Sequence, residues 1–138
     1  MFNKKFEERL LEWSTFRDSL ETTDSPIEKA IEFFKLAPIG SLAANPYDQE
    51  SWPNPWQLIQ ENIYCEFVKI LAICYTLQLC DRFTGCDFKL YIAQDSKQRY
   101  YLLEINNQII GYDSDKLVDS SVLKTLNIES KYVMPYIN

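Results

Sequence analysis

Few side chains in this sequence are equipped for chemistry, and the missing type is as informative as those present. The chain holds four cysteines, twenty Asp and Glu residues and no histidine. Without an imidazole, a cysteine or serine nucleophile lacks its usual general base. The commonest transition-metal ligand is also gone. Cys65 lies near the start of the longest apolar helix pattern, where a thiolate would act, but with nothing to activate it a buried structural thiol is expected. Cys65, Cys74 and Cys80 are spaced too widely along one helix to bridge one another. Cys80 and Cys86 could meet only across a turn and make a poor zinc site, so reduced thiols are expected. Asp81, Asp87, Asp95, Glu104, Asp113 and Asp115 crowd the second half. A Glu104–Asp113 pair across a hairpin is the candidate for carboxylate chemistry, set against the simpler reading of solvated turn charges. Three glycines assemble no phosphate loop. The expectation is no catalytic residue, no metal ligand and no cofactor.

Binding chemistry is better represented. Ser51-Trp52-Pro53-Asn54-Pro55-Trp56 holds two indoles on a backbone stiffened by two prolines. Tryptophan is enriched at interface hot spots. Trp56, inside a helix, is expected chiefly to cap the core, while Trp52 suits core and contact equally. Both join Tyr47, Tyr100, Tyr112 and Tyr136 as the candidate partner-binding set. Aromatics interleaved with Lys89, Lys97 and Arg99 form only a weak signal for single-stranded nucleic acid.

The elements that must place these residues are legible from periodicity. Phe2, Phe6, Leu10, Trp13, Phe16 and Leu20 make the stripe of a first helix, over about Asn3–Leu20. Ser25-Pro26-Ile27-Glu28 reads as a capping box opening a second helix to Leu36, giving a helical pair over 1–36. Residues 37–54 are expected as an ordered loop. Asn54, Pro55 and Gln57 read as cap, first turn and box partner of a central helix over 55–82. That helix is apolar most of the way round, with Asn62, Glu66, Lys69 and Thr76 on one narrow stripe, so it is expected to be buried. Residues 87–112 alternate as a three-stranded antiparallel meander turning at Asp95-Ser-Lys-Gln98 and Asn106-Asn107. A short helix to Leu126, capped by Asp119 or Ser120, and an extended tail fill 113–138. The fold class is α+β, with the buried helix packed on the meander, in one domain of 138 residues.

Composition narrows the function. Net charge is −6 and 46% of residues are hydrophobic. That argues for a real core and against a general binder of nucleic acid or anionic membrane. Met1-Phe-Asn-Lys-Lys-Phe-Glu-Glu has no apolar secretory stretch, which leads to the expectation of synthesis and folding in cytoplasm.

Two resemblances bear on the reading. A cysteine at a helix start followed by an antiparallel sheet resembles the layout of papain-like and transglutaminase-like enzymes. Where their base histidine is due, this chain has Tyr, Leu and Asn, so the resemblance implies at most a degenerate enzyme. Asn45-Pro-Tyr-Asp, Ser51-Trp-Pro-Asn-Pro-Trp-Gln-Leu-Ile, Asn62-Ile-Tyr-Cys, Ile73-Cys-Tyr-Thr-Leu-Gln-Leu, Tyr100-Tyr-Leu-Leu and Ile109-Ile-Gly-Tyr resemble small uncharacterised proteins of T4-like tailed bacteriophages. That likeness covers about Asn45–Tyr112 and assigns no active-site residue. It implies a product made in host bacterial cytoplasm and a minor virion or assembly component. The expected function is thus non-catalytic contact with other proteins, virion neighbours or a host protein, with the tail from Lys131 able to extend a neighbour's sheet. An acidic inhibitor of a host enzyme, or a nucleic-acid mimic, is the alternative.

Overall fold

A computed structural model of the chain describes residues 1–40, 44–113 and 116–137. The architecture is α+β, as the sequence predicts. Where one domain is expected, the residues group into two compact units, Met1–Thr84 and Gly85–Asn138.

The first unit is helical: α1 Phe6–Leu20, α2 Pro26–Phe34, α3 Pro55–Glu61 and α4 Glu66–Gln78. Short 3-10 turns occupy Gln49–Ser51 and Asp81–Phe83. Helix α4 is the buried one, with every residue from Ile70 to Gln78 shielded from solvent. Its predicted polar stripe does not reach water throughout. Thr76 is fully buried, and Trp13 Nε1 of α1 donates to its Oγ1 at 2.9 Å. The Thr76 hydroxyl donates in turn to the Ala72 carbonyl at 2.7 Å.

The expected continuous helix over 55–82 is broken. Asn62 takes a left-handed conformation at φ 54° and closes α3 by donating its N–H to the Leu58 carbonyl. Ile63 and Tyr64 run extended, and Tyr64 makes a parallel bridge with Ile39. Tertiary partners outweigh the unbroken apolar pattern here. Arg9, nearly buried, donates Nε to the Ile59 carbonyl and a guanidinium N–H to that of Gln60, satisfying the end of α3 from outside. Asn62 Nδ2 donates to the Phe2 carbonyl. A Cβ at Gly40 would lie 2.8 Å from Ile63 Cγ2, so a larger residue there would require the Ile63 side chain to shift. The Ser25 capping box does not form, whereas the Asn54–Gln57 box forms in full.

The second unit is an antiparallel sheet of five strands rather than three. They are β1 Lys89–Gln94, β2 Arg99–Ile105, β3 Gln108–Asp113, β4 Lys116–Asp119 and β5 Asn127–Val133, in the order β4-β3-β2-β1-β5. Both predicted hairpin turns form, with Asn106 and Asn107 at φ 51° and 62°. The tail is not free: β5 pairs with β1, Leu90 opposite Tyr132 and Tyr91 opposite Lys131. The predicted short helix is a 3-10 turn, Ser120–Thr125, capped by the Asp119 carboxylate. Tyr91, Ala93, Tyr100, Leu102 and Ile109 form a small core on one sheet face, covered by Tyr112, Val118, Val122, Leu123 and Leu126.

Replacing Arg9 with Met leaves the buried Ile59 carbonyl without its donor and is expected to cost about 2–3 kcal/mol. Urea denaturation with an unchanged m-value is the check.

Candidate partner-binding surface

The tryptophan motif is held from several directions at once. Asp48 caps the Gln49–Ser51 turn by accepting from the Glu50 N–H, and Ser51 Oγ accepts from the Asn45 N–H. Trp52 Nε1 donates to the Asn45 carbonyl at 2.9 Å, and its ring lies against Phe67 of α4, centroids 5.1 Å apart. One residue on, the Pro53 carbonyl accepts from the buried Tyr75 hydroxyl at 2.7 Å. The loop is thereby fastened to α4 before α3 starts.

Trp56 then occupies the second residue of α3 and is 49% exposed. This reverses the expectation that it would cap the core, because Trp13 fills that place and is 1% exposed. Trp56 instead meets Trp13 edge-on, ring centroids 5.6 Å apart. The third member of the set in this unit, Tyr47, is also exposed. Trp52 is half-buried and serves chiefly to anchor the loop.

The tyrosines of the second unit part company. Tyr100 is buried, stacks on Tyr112 at 5.1 Å and donates its hydroxyl to Asp95. It is therefore core, a correction to its place among contact candidates. Tyr112 is half-buried beside it, and Tyr136 is exposed, donating to Asp87 at 3.0 Å. Sequence reading missed Leu36, Ile39 and Ile63, all exposed in the helical unit. The signal was available in part: Pro38 ends the helical pattern and leaves Leu36 and Ile39 without a stripe to join.

The chemical candidates also find their places. Glu104 lies opposite Ile109, not Asp113, and its carboxylate accepts from the Tyr91 hydroxyl at 2.7 Å, so the candidate Glu104–Asp113 pair does not form. Hydrogen bonds from the Lys97 and Gln98 N–H groups and the Tyr100 hydroxyl hold Asp95 below the usual carboxylate range. Cys65 is half-buried at the start of α4, as is Cys86, while Cys74 and Cys80 are buried. All four thiols are free. Burial pushes Cys80 up to about 11 and Cys74 further still. Among the described residues no cluster of acidic and cysteine side chains could hold a metal ion. No helix among them is long and apolar enough to cross a membrane. No family model, curated protein or solved structure matches the chain.

The thiol environment makes stability depend on alkaline pH. Cys80 ionises at about 11 when folded against an ordinary 9.0, so the native state holds a proton that the unfolded chain releases. Stability is full below pH 9.0 and falls as pH rises towards 11. The loss from this one group is about 2–3 kcal/mol, and burial of Tyr64 and Tyr75 acts in the same direction. Urea unfolding at increasing alkaline pH is expected to show this decline, shallower after Cys80→Ala.

Proposed function

We propose that the protein is a non-catalytic protein–protein contact component, and that Trp56 with its rigid loop is the centre of the contact. The observation that carries this reading is a large indole, half in water, on a helix start fixed by a complete capping box and set edge-on against a buried indole. An exposed aromatic whose backbone is already ordered loses little entropy on binding, the property shared by interface hot spots. Tyr47 on the preceding loop and Leu36, Ile39 and Ile63 are further exposed apolar side chains in the same unit. The resemblance to small proteins of T4-like phages sets the biological context: a minor virion or assembly component, made in host cytoplasm.

Charge favours one further reading, that of an acidic inhibitor. Residues 1–84 carry thirteen Asp and Glu against eight Lys and Arg, while residues 85–138 are nearly balanced at seven against six. Binding led by this acidic surplus weakens steeply with salt, whereas binding led by Trp56 does not.

The test is co-purification of tagged protein with purified phage particles or assembly intermediates. Wild-type protein is expected in the particle fraction. Trp56→Ala, which removes no hydrogen bond of the fold, is expected to reduce that recovery at least tenfold, on the scale of a hot spot worth about 2 kcal/mol. Its unfolding transition should stay close to that of the wild type. Equal recovery of both proteins, or absence of the wild type from particles, sinks the reading.

A further inference from the structure

The connection between α3 and α4 holds two shielded polar atoms that have no hydrogen-bond partner among the described residues, Asn62 Oδ1 and the Tyr64 hydroxyl. Such groups, shut away from solvent and left unpaired, are costly unless something supplies the missing partner. The Asn62 amide is oriented by its other end. Its Nδ2 donates to the Phe2 carbonyl at 2.8 Å, so Oδ1 is an acceptor in need of a donor. Tyr64 is fully buried, and its hydroxyl can both give and take a hydrogen bond.

Their placement brings the two groups to one spot. Ile63 and Tyr64 run extended, where successive side chains alternate. Ile63 is exposed, while Asn62 and Tyr64 both turn inward and both meet Phe2. Asn62 reaches the Phe2 carbonyl, and the Tyr64 ring stands edge-on to the Phe2 ring, centroids 5.5 Å apart. Burial raises the Tyr64 pKa, and the nearby Arg9 charge opposes the rise. Arg9 also holds the Ile59 and Gln60 carbonyls, so Tyr64 lies by the same end of α3 that Asn62 closes. The Arg9 charge disfavours a bound cation there, and the Asn62 oxygen disfavours an anion. A small neutral molecule that accepts one hydrogen bond and donates another matches both groups. We propose that one buried water lies between Tyr64 and Asn62, accepting from the hydroxyl and donating to Oδ1. It is a fixed part of the fold and completes from within the α3 ending that Arg9 and Phe2 complete from outside. The inference stands apart from the contact function proposed for Trp56.

Two measurements test the water. Tyr64→Phe keeps the ring and removes the donor, so its effect on stability has a telling sign. With the water in place the variant leaves it short of a partner, and the folding constant from urea titration is expected to fall about tenfold. A hydroxyl that is simply unpaired gives the opposite result, because deleting it relieves a buried polar group. A folding constant unchanged or raised therefore overturns the proposal. The second measurement is a high-resolution crystal structure of the wild-type protein. One water oxygen is expected within about 2.5–3.0 Å of both Tyr64 Oη and Asn62 Oδ1. Direct pairing of the two side chains, pairing of either with another protein group, or no water shared between them overturns the proposal, whatever the stability of Tyr64→Phe.

Discussion

The hydrogen bond from Trp13 to Thr76 joins the two helices on which the first unit depends. A helix as apolar as α4 needs cover on nearly every side, and Thr76 falls inside that cover with an oxygen to satisfy. Its hydroxyl proton goes to the Ala72 carbonyl, leaving a lone pair that only a donor from outside the helix can use. The indole N–H of Trp13 fills that role, and the choice has consequences. With its nitrogen held there, the buried Trp13 ring meets Trp56 at a centroid distance of 5.6 Å and has the Arg17 guanidinium carbon 4.5 Å from its own centroid.

The second constraint is the way α3 ends. Sequence periodicity runs through Asn62, Ile63 and Tyr64 without a visible stop, since asparagine is tolerated within helices and the next two residues are apolar. The stop is tertiary. Arg9 and Phe2 come from some fifty to sixty residues earlier to meet the α3 carbonyls and the Asn62 amide, and no local pattern announces them. The local part was legible: the Asn54–Gln57 capping box, the proline at its first turn and the two hairpin turns are short-range chemistry and all form. Ser25 carries the same local signature yet makes no side-chain cap, so even the capping-box pattern is a permissive signal.

The candidate site shows the same division. Composition singled out the tryptophan motif and the tyrosines but could not rank them by exposure. Trp13 and Trp56 have similar claims to the core from their helical positions, and the Thr76 acceptor, sixty-three residues from Trp13, decides between them. Tyr100 and Tyr136 look alike in sequence. One is buried against Tyr112 beneath the cover of β4 and the 3-10 turn, and the other is left outside. Strand β4 itself escaped notice because it is four residues long with only Leu117 and Val118 apolar.

The edge of the sheet bears on the expected use of the C-terminal tail. A free tail that adds itself to a neighbouring sheet is excluded for Lys131–Val133, whose ladder positions are taken by β1. The outer side of β5 is a poor substitute. Its register shifts where Ile92 and Ala93 face Ser130 and Ile128, which makes Glu129 the extra residue of a bulge. In consequence Ile128 and Lys131 share a face although three residues apart, and Lys131 lies over the Tyr91 ring. A second strand laid along this edge could keep its side chains on the correct faces on one side of the bulge only. A bulge and charged residues on a border strand are the usual guards against such pairing. Backbone addition is thereby disfavoured along β5.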